Sequence, residues 1–133
     1  MAYDASYQGE SEGTPHNLED PFSRVEDVRA AVDYFNTLNF VDDERIGALG
    51  ICAGGGYTIK ATQTEKRIKA VVGISAADIG QNFRKGWNGD QNEADINAVL
   101  AQVAEQRKAE AQGAEQKLVG FVPDEPTDDM DQE

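Results

Sequence analysis

The sequence predicts an α/β fold, a parallel sheet with flanking helices, followed by an amphipathic cap-like helix and an acidic disordered tail. Three observations carry that prediction. Two short apolar runs, Ile46–Ile51 and the β-branched Ala70–Ile74, read as buried strands with a helix-length segment between them. Ahead of them Phe22, Val25, Val28, Val32 and Phe35 recur at helical spacing, which marks a helix with one buried face. The last thirteen residues, Phe121–Glu133, hold six acids, two prolines and no base, a composition that stays solvated.

Taken in order, Met1–Tyr7 reads as the stub of a strand ending in the turn Gly9-Glu10-Ser11-Glu12-Gly13. A helix then starts at Asp20-Pro21, with Asp as N-cap and Pro at the first helical position. Ser23 and Glu26 offer a competing capping box one turn later. After a turn at Asp42-Asp43-Glu44 come the first buried strand, a helix from Ala53 to about Gln63, and the second buried strand. The order strand–helix–strand–helix–strand implies a parallel sheet. Gln81–Gln91 is polar and reads as irregular. Ile96, Val99, Leu100 and Val103 then mark an amphipathic helix whose apolar stripe is narrow and rich in alanine, as in a cap or a partner-dependent helix. The expected organisation is a core over residues 1–80, a cap-like helical segment over 81–120 and the acidic tail over 121–133.

Composition narrows the function. The chain has 133 residues, 39% of them apolar, enough for one small domain with a core. Its 25 acidic and 12 basic side chains leave a net charge of −13. That surface repels phosphate backbones and anionic lipid, so neither nucleic acid nor a membrane is expected as partner. No apolar run approaches the length of a membrane span. Met1-Ala2-Tyr3-Asp4 has neither the basic nor the apolar region of a secretory signal, and the expected location is cytoplasmic. One cysteine, Cys52, and one histidine, His16, are too few for an internal disulfide or a structural zinc site.

The residues that carry chemistry are Gly50-Ile51-Cys52-Ala53-Gly54, placed where a strand meets a helix. They match the nucleophile-elbow pattern G-x-S-x-G with Cys in place of Ser. The turn that presents the nucleophile is strained, and glycines two residues to either side remove the expected side-chain collisions. Cys52 would project at the amino end of the following helix, where free N–H groups and the helix dipole favour a thiolate. The Ala53 N–H would supply half of an oxyanion hole, worth roughly 3–4 kcal/mol per donor in related chemistry. A lone cysteine beside glycines is also what a small buried residue in a tight turn looks like. The run Gly54-Gly55-Gly56 does not fit a nucleotide-binding loop, because no G-x-G-x-x-G aligns and no Lys-Ser/Thr follows.

The stretch from Tyr3 to Gly80 resembles the middle of an α/β hydrolase, in the dienelactone-hydrolase-like and bacterial peptidase/esterase-like branch. Tyr3-Asp4 with Gly9-Glu10-Ser11-Glu12-Gly13 is similar to the segment after the family's fourth strand, although its usual basic residue is absent. Asp42-Asp43-Glu44-Arg45-Ile46-Gly47 resembles the approach to the fifth strand. Gly50-Ile51-Cys52-Ala53-Gly54-Gly55-Gly56-Tyr57 resembles the elbow and its helix, and Lys66-Arg67-Ile68-Lys69-Ala70-Val71-Val72 the approach to the sixth strand. The resemblance implies hydrolysis of an ester, thioester, lactone or amide of a small-molecule acyl substrate, with Cys52 as nucleophile. It implies no metal and no organic cofactor.

It also implies that parts are missing. The family's histidine follows the last strand, whereas His16 lies 36 residues before Cys52 in a turn beside Thr14, Pro15 and Asn17. His16 is therefore a weak candidate base. Asp78, just past the sixth-strand match, is a weak candidate acid, a position where an Asp more often caps or orders the loop. The family's third strand has no counterpart, so the sheet is expected to have a gap and unpaired edges. The expectation is a piece of a hydrolase of roughly 250–300 residues, feeble or inactive alone. The alternative is a non-catalytic module that needs a complementary polypeptide, or self-association as a homo-oligomer, to complete its sheet.

Overall fold

The computed structural model of the chain describes residues 1–86 and 88–120. The acidic tail read at 121–133 lies outside the described residues. Contacts divide the chain into two units, Met1–Asp90 and a second beginning at Gln91.

Asp20 starts the first helix, α1 (Pro21–Asn36), by accepting the Phe22 amide at 3.0 Å. The rival capping box does not form; Ser23 Oγ instead donates to Asp20 Oδ2 at 2.9 Å. A short 3-10 turn, Asp43–Arg45, leads into β1 (Ile46–Ile51). There follow α2 (Ala53–Thr62), β2 (Ile68–Ile74), α3 (Ile79–Lys85) and, in the second unit, α4 (Glu93–Ala111). β1 and β2 pair in parallel, with Leu49 opposite Val72 and Ile51 opposite Ile74. The sequence places β1 at these residues and starts β2 two residues late.

Side chains alternate across a strand, and the alternation sorts the sheet into two unlike faces. Ile46 and Ala48 point toward α1, where Val32, with Val28 and Phe35, closes over Ile46 and Ile68 as the small core. Ala61 on α2 is fully covered. On the opposite face Leu49 and Ile51 are each 60% exposed, Val72 51% and Ile74 47%. The reading as buried strands thus fails for Ala70–Ile74, every residue of which is exposed, and holds in β1 only at Ile46 and Gly50; among the described residues no layer covers the face of Leu49, Ile51, Val72 and Ile74.

Four further expectations are corrected. Met1–Tyr7 is not a strand: among the described residues no strand lies beside it to form a ladder, and its polar groups are taken by α1 and by its own turn. Ser6 donates through N and Oγ to the Asp27 carboxylate, and the Asp4 carboxylate accepts the Glu10 amide. The first unit therefore has two strands among the described residues, not three. Gln81–Gln91 is not wholly irregular, since α3 forms with Asp78 as its N-cap and one buried apolar side chain, Ile79. A seven-residue helix resting on a single core residue shows no apolar period to read. Finally, Phe22 does not belong to the buried face of α1 and is 89% exposed.

In the second unit α4 is capped by Asn92, which accepts the amides of Ala94 and Asp95. Val99, Leu100 and Val103 are exposed along it.

Candidate functional site

The site begins with one backbone geometry. Cys52 stands between β1 and α2 at φ 53° and ψ −126°, a region that non-glycine residues enter only under tertiary constraint. The constraint is a set of hydrogen bonds. The Cys52 amide donates to the Ile74 carbonyl at the end of β2, at 3.0 Å. The Cys52 carbonyl accepts the amides of Gly55 (3.0 Å), Gly56 (3.3 Å) and Ala77 (3.0 Å). The turn is therefore tied both to its own helix and to the loop after β2. That loop is itself constrained, with Ser75 at φ 45°.

The glycines around the turn have unequal roles. A Cβ at Gly50 would run into the Gly54 carbonyl and the Gly55 backbone. A Cβ at Gly56 would run into the Ala77 carbonyl, and one at Gly55 would press on Ala76. At Gly54 a Cβ would meet nothing within 4 Å. The expectation that glycines on both sides relieve collisions is thus corrected on the downstream side. What has to stay small there is the pair Gly55 and Gly56, where α2 passes against the Ala76–Ala77 loop.

The Cys52 side chain is exposed. Ala53 and Gly54 open α2, and the first amides of a helix have no intrahelical acceptor, so their N–H groups are available beside the thiol. Asp78 is carried close to the turn by the chain, since its neighbour Ala77 bonds Cys52. Its own carboxylate, however, accepts the Gln81 amide at 2.9 Å as the cap of α3. His16 lies exposed in the turn over residues 14–17, and no hydrogen bond joins it to Cys52 or Asp78 among the described residues. The structure thus brings together Cys52 and the Ala53 amide, and does not join His16 to them.

One element had no sequence signal. Tyr57, in α2, donates to Glu19 Oε1 at 2.6 Å, and Arg24 Nη2 holds Glu19 Oε2 at 2.8 Å. Burial, and then the Glu19 carboxylate, push the Tyr57 hydroxyl well above its ordinary pKa, so it stays a donor. The bond ties the elbow helix to the segment ahead of α1. Nothing in the spacing of Glu19 and Tyr57 foretells it, because the two meet only through packing.

Comparison with known proteins agrees with this geometry. Residues 3–76 match the dienelactone hydrolase family. The chain is 42% identical over 133 residues to the uncharacterized protein YcjY of Escherichia coli, covering all of this chain and 44% of that one. The crystal structure of the hypothetical protein PA2218 from Pseudomonas aeruginosa superposes with a TM-score of 0.76 at 37% identity, covering 90% of this chain and 40% of that one. The crystal structure of the α/β hydrolase GrgF from Penicillium shares the fold, with a TM-score of 0.71 at 24% identity over 92% of this chain and 39% of that one. The chain spans less than half the length of each. It belongs to the dienelactone hydrolase family.

Proposed function

We propose that this chain carries the nucleophilic half of an acyl hydrolase of that family, acting on an ester, thioester or lactone through Cys52. The observation that supports the reading most is the Cys52 backbone, φ 53° and ψ −126°, held by four hydrogen bonds at the start of a helix. In the proposed reaction the Cys52 Sγ thiolate attacks the acyl carbonyl carbon. A tetrahedral oxyanion forms and is met by the Ala53 N–H. Collapse expels the alkoxide or thiolate leaving group, which takes up a proton, and leaves an S-acyl cysteine. Water then attacks that thioester, releasing the carboxylic acid and restoring Sγ. This second step needs a base. His16 is the candidate base within the chain and Asp78 the candidate acid, and the exposed turn of the one and the capping bond of the other favour slow deacylation.

The test is p-nitrophenyl acetate turnover by the chain beside Cys52→Ala. The expected result is a stoichiometric burst of nitrophenol, absent in the variant, followed by slow turnover. Sustained rapid turnover would move His16→Ala, as the test of the base, and Asp78→Asn, as the test of the acid, to the front. No difference between the two proteins would overturn the reading.

A second reading, a non-catalytic module that needs a complementary polypeptide, is favoured by one observation, the uncovered face bearing Leu49, Ile51, Val72 and Ile74. It predicts no burst and a chain that self-associates in sedimentation.

A further inference from the structure

A cleft of about 990 Å³ opens between α1, α2 and the segment from Ala76 to Arg84, and Cys52 does not line it. Its apolar lining comes from three elements: Val25 on α1, Ile59 on α2 and the buried Ile79 at the start of α3. Phe22, exposed in the first turn of α1, stands at its side. Three cations line it as well, Arg29, Lys60 and Arg84.

In a chain of net charge −13 this is an unusual balance. Two carboxylates line the cleft: Glu26 pairs with Arg29 at 2.9 Å, while Asp78 caps α3 by accepting the Gln81 amide and keeps its negative charge. Lys60 meets only the neutral Gln63 side chain, and Arg84 has no ion pair among the described residues. With three cations against two carboxylates the lining carries a net positive charge, and an apolar lining beside Lys60 and Arg84 is complementary to a ligand with an apolar body and one anionic end. The volume lies in the range of small-molecule sites, about 300–1,000 Å³.

We propose that this cleft binds a single-chain amphiphile with an anionic head, its tail against Val25, Ile59 and Ile79 and its head drawn to Lys60 and Arg84. The cleft borders the elbow, sharing Gly56, Ala77 and Asp78 with its surroundings, but Cys52 does not line it and the proposal does not depend on Cys52 being a nucleophile. The bare sheet face is also apolar but has no cation requirement, so the two surfaces are distinguishable by charge.

The test is a methyl-NMR titration of the full chain with decanoate below its micelle concentration, with 1-decanol as the neutral counterpart. Decanoate is expected to shift the Ile59 and Ile79 methyls saturably, at least tenfold more tightly than decanol. Lys60→Glu with Arg84→Glu is expected to weaken decanoate at least tenfold while leaving the spectrum of the free chain folded. Should that pair not fold, raising salt from 20 to 500 mM on the unaltered chain supplies the same readout, a fall in decanoate affinity with no change for decanol. Equal affinity for both probes, indifference to charge reversal or salt, or shifts centred on Leu49 and Val72 would each overturn the proposal.

Discussion

On one face of the two-stranded sheet Val32 closes over Ile46 and Ile68; on the other, Leu49, Ile51, Val72 and Ile74 meet water. The bare face carries more large aliphatics than the covered one, so strand composition does not decide which face is buried. Burial belongs to the layer that covers a strand. Each of these half-exposed aliphatics forgoes roughly half of the about 1.5–3 kcal/mol that full burial supplies. The covered face also carries the elbow: Gly50 turns toward α2, and the Cys52 geometry depends on that close approach. The part of the molecule that is well packed is thus the part that shapes the candidate site.

The strongest way to break this comparison is Gly50→Ala. Its Cβ enters the Gly54 carbonyl, backbone against backbone, and the expected loss is about 3 kcal/mol or more in urea unfolding, with the burst abolished. Its counterpart Gly54→Ala, whose Cβ meets open space, is expected to change stability by less than about 0.5 kcal/mol. If the two behave alike, the crowding at Gly50 is not what holds the turn.

Next in size is Ile46→Ala on the covered face, expected to cost about 2–3 kcal/mol through lost burial and the cavity left under Val32. Loss below about 0.5 kcal/mol would mean that the core on this side is too loose to matter.

A smaller effect tests how α1 is fastened to the covered side. Arg67 bridges Asp33 on α1 at 2.6 Å and Glu65 at 2.7 Å. Hydrogen bonds from the Arg67 side chain and amide lower the Glu65 carboxyl to about 2, against an ordinary 4.5. A lowered folded-state value means stabilisation that is present above pH 4.5 and is lost as pH falls toward 2. Glu65→Gln is therefore expected to cost about 1 kcal/mol at pH 7. Melting curves of the two proteins should converge between pH 4.5 and 2. A constant gap across that window would show that the carboxylate charge contributes nothing.

The smallest effect belongs to the bare face. Leu49→Ala is expected to change stability by less than about 0.5 kcal/mol, because the side chain already stands in solvent. A loss of about 2 kcal/mol or more in the same unfolding assay would mean that this face is covered in solution.

Much of the first unit was legible in the residues. Asp20-Pro21 marks the start of α1, the apolar runs mark both strands, and the glycines around Cys52 mark the elbow. These are local signals: a cap, a period, a turn with no room for a Cβ. The errors fall where the deciding partner is distant in the chain. Met1–Tyr7 carries strand-like residues and has no ladder partner among the described residues, so Asp27 and its own turn take its polar groups. α3 has one buried residue and an Asp cap, which leaves too weak a pattern to see. Gly54 fits the motif, yet the crowded glycines are Gly50, Gly55 and Gly56, and only the path of α2 past the Ala76–Ala77 loop reveals it.

The sequence by itself determined α1, β1, α2 and β2 in the first unit, where the elbow sits and which residue occupies it. Those outcomes rest on backbone conformation and short-range hydrogen bonding, which neighbours along the chain largely set. Only the tertiary structure decided which sheet face is covered, that Glu19 meets Tyr57, and that Gly55 and Gly56 press against the Ala76–Ala77 loop. Each of these is a contact between groups far apart in sequence, and the free energy of such a contact depends on where packing has placed both partners.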